Sequence, residues 1–141
     1  MGMEVRLSLS LPRDSTTVPL TRRVLDAALA VFSVTSDCRA DIGLAVGEAC
    51  ANAVEHADTG ADYEVTVTIQ EDRCIIDVLD DGNGMEGGIP EDVPPDAESG
   101  RGLKIIHALA DMVELRHRQP RGMALRIVKL LTRTTTTPAF S

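Results

Sequence analysis

The sequence predicts an α+β domain, a two-layer sandwich with helices packed on one face of a mixed, mostly antiparallel sheet. Three observations carry this. Blocks of strand-like alternation and blocks of helix-like spacing follow one another in the order β-α-α-β-β-loop-α-β-β. Two of the strand blocks are joined directly by the short polar turn 70–73, as in a hairpin. At 141 residues the chain has the size of one domain and is long enough to bury a core.

The elements are justified in turn. Val5, Leu7, Leu9 and Leu11 alternate with polar residues and form a first strand. Val24, Leu25, Ala28, Val31 and Phe32 recur at helical spacing, which places a first helix within residues 15–32. Ser36 or Asp37 can cap a second helix that runs to about Ala57. Tyr63, Val65, Val67 and Ile69 alternate with Glu64, Thr66, Thr68 and Gln70, the pattern of a half-buried strand, and a further strand covers residues 74–80. A Gly- and Pro-rich loop follows over residues 81–101, long enough to be functional or disordered. Leu103, Ile106, Ala110 and Val113 suggest a third helix, and two strands near residues 113–118 and 122–131 close the domain. A single domain is thus expected over residues 1–131, with 132–141 as a frayed tail.

Composition excludes several function classes. The only aromatic residues are Phe32, Tyr63 and Phe140, so stacking platforms for single-stranded nucleic acid are missing. No apolar run approaches the ~20 residues of a membrane span. Cys38, Cys50 and Cys74 are odd in number and lack metal-ligand spacing to His56, His107 or His117, which fits a reduced, cytoplasmic protein. The net charge of −8 is unevenly spread: residues 1–100 hold 20 acidic and 6 basic side chains, residues 101–133 hold 8 basic and 2 acidic. Overall acidity argues against direct nucleic-acid binding. The basic third is either a solvated surface or one that faces an anionic ligand or acidic partner.

Three segments carry candidate chemistry. On the second helix Glu48, Asn52 and His56 stand four apart, each about 40° further round, and form one slanted polar row. Ile42, Val46, Ala49 and Ala53 fill the neighbouring core-facing sector, so the row lies at the border of the buried face. Such a row is what an amphipathic helix shows at its edge. It also suits a general base at Glu48 and an oxygen ligand for Mg²⁺ at Asn52. His56 reads as a polar helix-end residue. Gly47 within the helix implies a close approach by something.

The second segment begins at Asp80, which period-2 alternation puts on the same strand face as Ile76 and Val78. A carboxylate between sheet and helices needs a hydrogen-bonding partner, and a ligand amino group such as that of adenine would meet the need. Gly82 and Gly84 follow and permit close backbone approach, although Asp-Gly and Asn-Gly are also ordinary turn dipeptides. In the third segment, Ser99, Gly100, Arg101, Gly102 and Leu103 open the third helix, where backbone N–H groups can hold phosphates. Arg101 could add a charged donor or simply face solvent.

This set resembles the GHKL family of ATP-binding domains, which includes histidine-kinase catalytic domains, type II topoisomerase and mismatch-repair ATPases and a heat-shock chaperone ATPase. Glu48-x-x-x-Asn52 looks like the family's N box, Asp80-x-Gly82-x-Gly84 its first glycine box and Gly100-x-Gly102 its second. The resemblance covers residues 5–131 and implies the Bergerat, or histidine-kinase-like, ATP-binding fold. By this analogy Asn52 holds Mg²⁺, Asp80 binds the adenine amino group, and the loop between the glycine boxes is an ATP lid.

Without a dimerisation domain before the boxes or a transducer domain after them, the chain is similar to the anti-sigma-factor serine kinases of the RsbW and SpoIIAB type. That resemblance implies a homodimer that binds an RNA polymerase sigma factor and phosphorylates a serine of a STAS-domain anti-anti-sigma protein, with Glu48 as the base. Two positions depart from the pattern. Met123 and Ala124 stand where the family often has a Thr beside the adenine pocket, and Glu98 stands where some switch kinases carry an Arg. ATP binding tolerates both better than phosphoryl transfer does. The alternatives are an ATP-binding anti-sigma module without kinase activity, and an ATPase that drives its own conformational cycle.

Overall fold

The computed structural model describes residues 3–55, 62–80, 98–118 and 122–134. Its elements are β1 (Val5–Leu11), α1 (Thr17–Val31), α2 (Ser36–Glu55), β2 (Tyr63–Ile69), β3 (Arg73–Asp80), α3 (Glu98–Leu109), β4 (Met112–His117) and β5 (Met123–Leu130). The strands form one five-stranded sheet in the order β1-β2-β3-β5-β4. The mostly antiparallel sheet expected from the hairpin signal is antiparallel at every pairing.

The helices cover one face of this sheet. On β2 and β3 every second residue is buried, from Tyr63 to Ile69 and from Cys74 to Asp80, as alternation requires for a sheet covered on one side. Helix α2 lies centrally, packed against α1, α3 and β3. Its buried positions are mostly small (Ala45, Gly47, Ala49, Cys50 and Ala53), and this lets three helices share one sheet face. The close approach that Gly47 implies comes from α1: a Cβ on Gly47 would stand 3.1 Å from Cδ of Arg22. The opposite sheet face is polar, with Arg126 of β5 donating to both carboxylate oxygens of Asp77 on β3 at 2.7 and 3.1 Å.

Several boundaries differ from expectation for local reasons. Thr35, not Ser36 or Asp37, caps α2: its hydroxyl accepts from the N–H of Cys38 at 3.3 Å and its carbonyl from that of Arg39 at 2.9 Å. Helix α1 ends in a Schellman motif, with Val34 N–H to Leu29 O at 3.2 Å and Ser33 N–H to Ala30 O at 3.0 Å. Ser33 occupies the left-handed position at φ 63°. Helix α3 begins at Glu98 and stops at Leu109, so Glu98–Arg101 are helical and not part of the loop, while Ala110 and Val113 fall beyond the helix. The sheet captures the chain there: Asp111 donates its N–H to Val128 O at 2.8 Å, and its carboxylate accepts from Leu130 N–H at 2.7 Å.

Arg133 and Thr134, beyond the last strand, also contact the fold. Arg133 donates to the carbonyls of Phe32, Gln70 and Glu71, and Thr134 N–H donates to Ser33 O at 2.8 Å, tying this segment to the α1–α2 junction and the β2–β3 turn. Much of the basic third is therefore matched internally. Arg116 pairs with Glu114, Arg126 with Asp77, and Lys129 donates to Leu109 O at 2.9 Å. Among the described residues, no helix is long and apolar enough to cross a membrane.

Candidate functional site

Glu48 and Asn52 lie one turn apart on α2 and are both half-buried, at the border their spacing implies. What closes over them is α3. Ile106 anchors that helix in the core at 0% exposure, and Gly102, one turn earlier, is buried against α2. A Cβ on Gly102 would meet Glu48 Oε1 at 3.2 Å, Asn52 Nδ2 at 3.4 Å and Asn52 Oδ1 at 3.5 Å. The two polar side chains of α2 thus rest on the bare α-carbon of Gly102, and segments fifty residues apart in sequence meet in one place.

Asp80 ends β3 and is 6% exposed, on the helix-facing side with Ile76 and Val78 as alternation requires. Its carboxylate is paired with the guanidinium of Arg13, whose side chain is 4% exposed. Arg13 lies in the turn between β1 and α1. A single row crosses the sheet here: Leu11 is the partner of Tyr63, Tyr63 of Asp80, and Asp80 of Met123. Tyr63 is fully buried and its hydroxyl lies 2.7 Å from that of Thr17, which donates to Asp14 O at 2.7 Å and so accepts from the phenol. Burial pushes the Tyr63 hydroxyl up to about 12 and the Cys50 thiol, beside it on α2, up to about 11. Both are neutral at physiological pH. Their contact joins the Asp80 row, which holds Tyr63, to α2, which holds Cys50.

The remaining predicted residues divide into two groups. Ser99, Gly100, Arg101, Gly102 and Leu103 all lie within the first two turns of α3, so the second glycine pair is helical where a loop leading into a helix was expected. Arg101 is exposed and Leu103 half-buried against the core. His56, Gly82, Gly84 and the lid segment 81–97 lie outside the described residues. Sequence reasoning missed Arg13. The one available signal was its rarity as a cation in an acidic stretch, directly after the Pro12 that ends β1.

The donor chemistry fits a magnesium nucleotide. Glu48 and Asn52 present hard oxygen donors side by side, both in close contact with the position of Gly102. The described residues contain no group of three or more His, Cys, Asp or Glu able to hold a metal. Phosphate and water oxygens must complete any Mg²⁺ shell, as is usual for Mg²⁺ bound through one or two protein ligands.

Comparison with known proteins shows the family of the chain. The histidine kinase-like ATPase domain family matches residues 11–129. The serine-protein kinase RsbW of Halalkalibacterium halodurans is 31% identical over 138 residues, covering 90% of this chain and 84% of that protein. RsbW of Listeria monocytogenes serovar 1/2a is 33% identical over 126 residues, covering 80% of each chain. In fold, the chain is similar to the crystal structure of the RsbU and RsbW domains of Rv1364c from Mycobacterium tuberculosis, with a TM-score of 0.69 at 20% identity. That match covers 95% of this chain and 35% of the longer one. With these similarities and the meeting of Glu48, Asn52 and Gly102, the chain belongs to the histidine kinase-like, or GHKL, ATPase family, in its RsbW-like anti-sigma kinase group.

Proposed function

We propose that this chain is an ATP-binding anti-sigma factor and serine/threonine-protein kinase. It acts in the cytoplasm as a homodimer that binds an RNA polymerase sigma factor and phosphorylates a serine on a STAS-domain anti-anti-sigma protein. The observation that carries the reading is the seating of Glu48 and Asn52 against Gly102, because it joins the base, the metal ligand and the phosphate-binding helix.

Each group has a role in this reading. Asp80 accepts a hydrogen bond from the exocyclic amine of adenine. Backbone N–H groups at the start of α3, around Ser99, Gly100 and Gly102, hold the phosphates where the helix dipole favours negative charge, with Arg101 adding a charged donor and Leu103 packing below. Asn52 supplies its carboxamide oxygen to Mg²⁺. Bound Mg-ATP supplies the γ-phosphoryl group and the charge neutralisation its transfer requires. Glu48 takes the proton from the partner's serine hydroxyl as the oxygen–phosphorus bond forms and ADP departs. Incubation with γ-labelled ATP, Mg²⁺ and candidate STAS proteins tests this. Label is expected on a partner serine and lost with Glu48→Gln; transfer to no partner removes the kinase half.

A second reading, an ATP-binding anti-sigma module without phosphoryl transfer, is favoured by Met123. It is the direct cross-strand partner of Asp80, and it puts a thioether where the family often has a hydroxyl. Sigma binding that is unchanged by Glu48→Ala, without transfer to any partner, selects that reading.

A further inference from the structure

We propose that Arg13 is a positioning residue for base recognition, holding the Asp80 carboxylate in the orientation that accepts the adenine amine. This rests on the nucleotide-binding reading above and adds to it a residue outside the three sequence boxes.

The argument starts from freedom. The terminal torsion of an aspartate is broad, so a lone carboxylate at a strand end does not aim itself. Arg13 Nη2 donates to Oδ1 of Asp80, which fixes the plane of the carboxylate. Two carboxylate oxygens offer about four acceptor sites, more than a guanidinium contact to Oδ1 uses.

Arg13 is itself held on both sides. Pro12 restricts the backbone before it, and its carbonyl accepts from Asp14 N–H at 2.8 Å. The Asp14 carboxylate accepts from the N–H and hydroxyl of Thr16, both at 2.9 Å, and the Asp14 carbonyl accepts from Thr17 N–H at 2.9 Å. The turn therefore delivers the guanidinium from a fixed base.

Two further facts argue against a merely structural pair. Arg13 Nε and Nη1 are buried without a hydrogen-bond partner among the described residues, although its side chain is only 4% exposed. A guanidinium placed for stability alone would have its donors filled. The pair also carries no net charge. A lone carboxylate would repel a polyanionic triphosphate in the same cleft, whereas the paired one keeps its acceptor oxygens without that penalty.

The test uses two nucleotides that differ only at the group Asp80 reads: ATP and purine riboside triphosphate, which lacks the exocyclic amine. Binding is titrated for the wild type, Arg13→Met, Arg13→Gln and Arg13→Lys, each checked for folding by thermal melting. The wild type is expected to prefer ATP by about tenfold or more. Arg13→Met and Arg13→Gln should lose most of that preference by weakening ATP alone, and Arg13→Lys should restore most of it. The neutral glutamine variant carries the test if the methionine variant does not fold. Equal weakening of both nucleotides, which a structural role gives, overturns the proposal. So does unchanged preference, tighter ATP binding, or a wild type that binds ATP without discrimination. A wild type that binds neither nucleotide overturns the nucleotide-binding reading as well.

Discussion

Replacing Gly102 with alanine separates the site from the fold that carries it. Gly102 lies within α3 without a positive φ, so alanine suits its backbone. Helix propensity alone then favours alanine by about 1 kcal/mol. Against this, the new Cβ would stand 3.2 Å from Glu48 Oε1 and 3.4 Å from Asn52 Nδ2, closer than ordinary contact. Both atoms are the far ends of flexible side chains and can retreat by a few tenths of an ångström, at a cost of at most about 1 kcal/mol in rotamer strain. The net effect on stability is between zero and a gain of about 1 kcal/mol, or a melting temperature up to about 2–4 °C higher. The effect on function has the opposite sign. Glu48 and Asn52 move off the place where base and metal ligand are needed, and small misplacements of reacting groups cost large factors. We expect phosphoryl transfer to a STAS partner to fall about tenfold or more while thermal melting holds or improves. Full transfer by Gly102→Ala would refute the role given to this contact, and loss of folding would refute the packing argument.

Other expected outcomes concern Asp80, Ser33 and the buried acids. Asp80→Asn should weaken ATP affinity more than tenfold, above about 1.4 kcal/mol. It should also destabilise the fold by about 3–5 kcal/mol by leaving the Arg13 guanidinium buried without its counter-charge, measured by calorimetry and urea unfolding. Ser33→Gly should stabilise the protein by about 0.5–1 kcal/mol in urea, since glycine takes the left-handed φ without a Cβ penalty. Burial raises the pKa of Cys50 from 9.0 to about 11, of Tyr63 from 10.0 to about 12 and of Cys74 from 9.0 to about 12. Raised folded-state values mean that stability is complete below pH 9.0 and falls as pH climbs towards 11, because the unfolded chain releases these protons first. Urea midpoints that stay level across that interval would contradict the burial assigned to these groups.

Much of the fold was legible because it rests on local pattern. The alternation of Val5–Leu11 and Tyr63–Ile69 set β1 and β2 at their observed limits, since a sheet covered on one face enforces period two. The border position of Glu48 and Asn52 followed from helical geometry in the same way. Boundaries decided by hydrogen bonds between distant segments were less legible. Nothing near Ser33 marks a left-handed stop, because the Schellman bonds and the Val34–Arg133 bridge supply what a glycine would normally signal. The end of α3 is set by Asp111 reaching β5, a contact no local window contains. Arg13 was invisible for the same reason: it matters through Asp80, 67 residues away. The Gly100–Gly102 pair was expected at the junction of loop and helix but lies inside α3, and the contact of Gly102 with α2 emerged only in three dimensions.

The central claim is that α2, the end of β3 and the start of α3 enclose one nucleotide. Calorimetric titration of the purified protein with ATP, in the presence and absence of Mg²⁺, tests it most directly. Saturable binding of one ATP per chain, strengthened by Mg²⁺ and weakened by Asp80→Asn, is the expected result. No saturable binding by protein that melts cooperatively would contradict it.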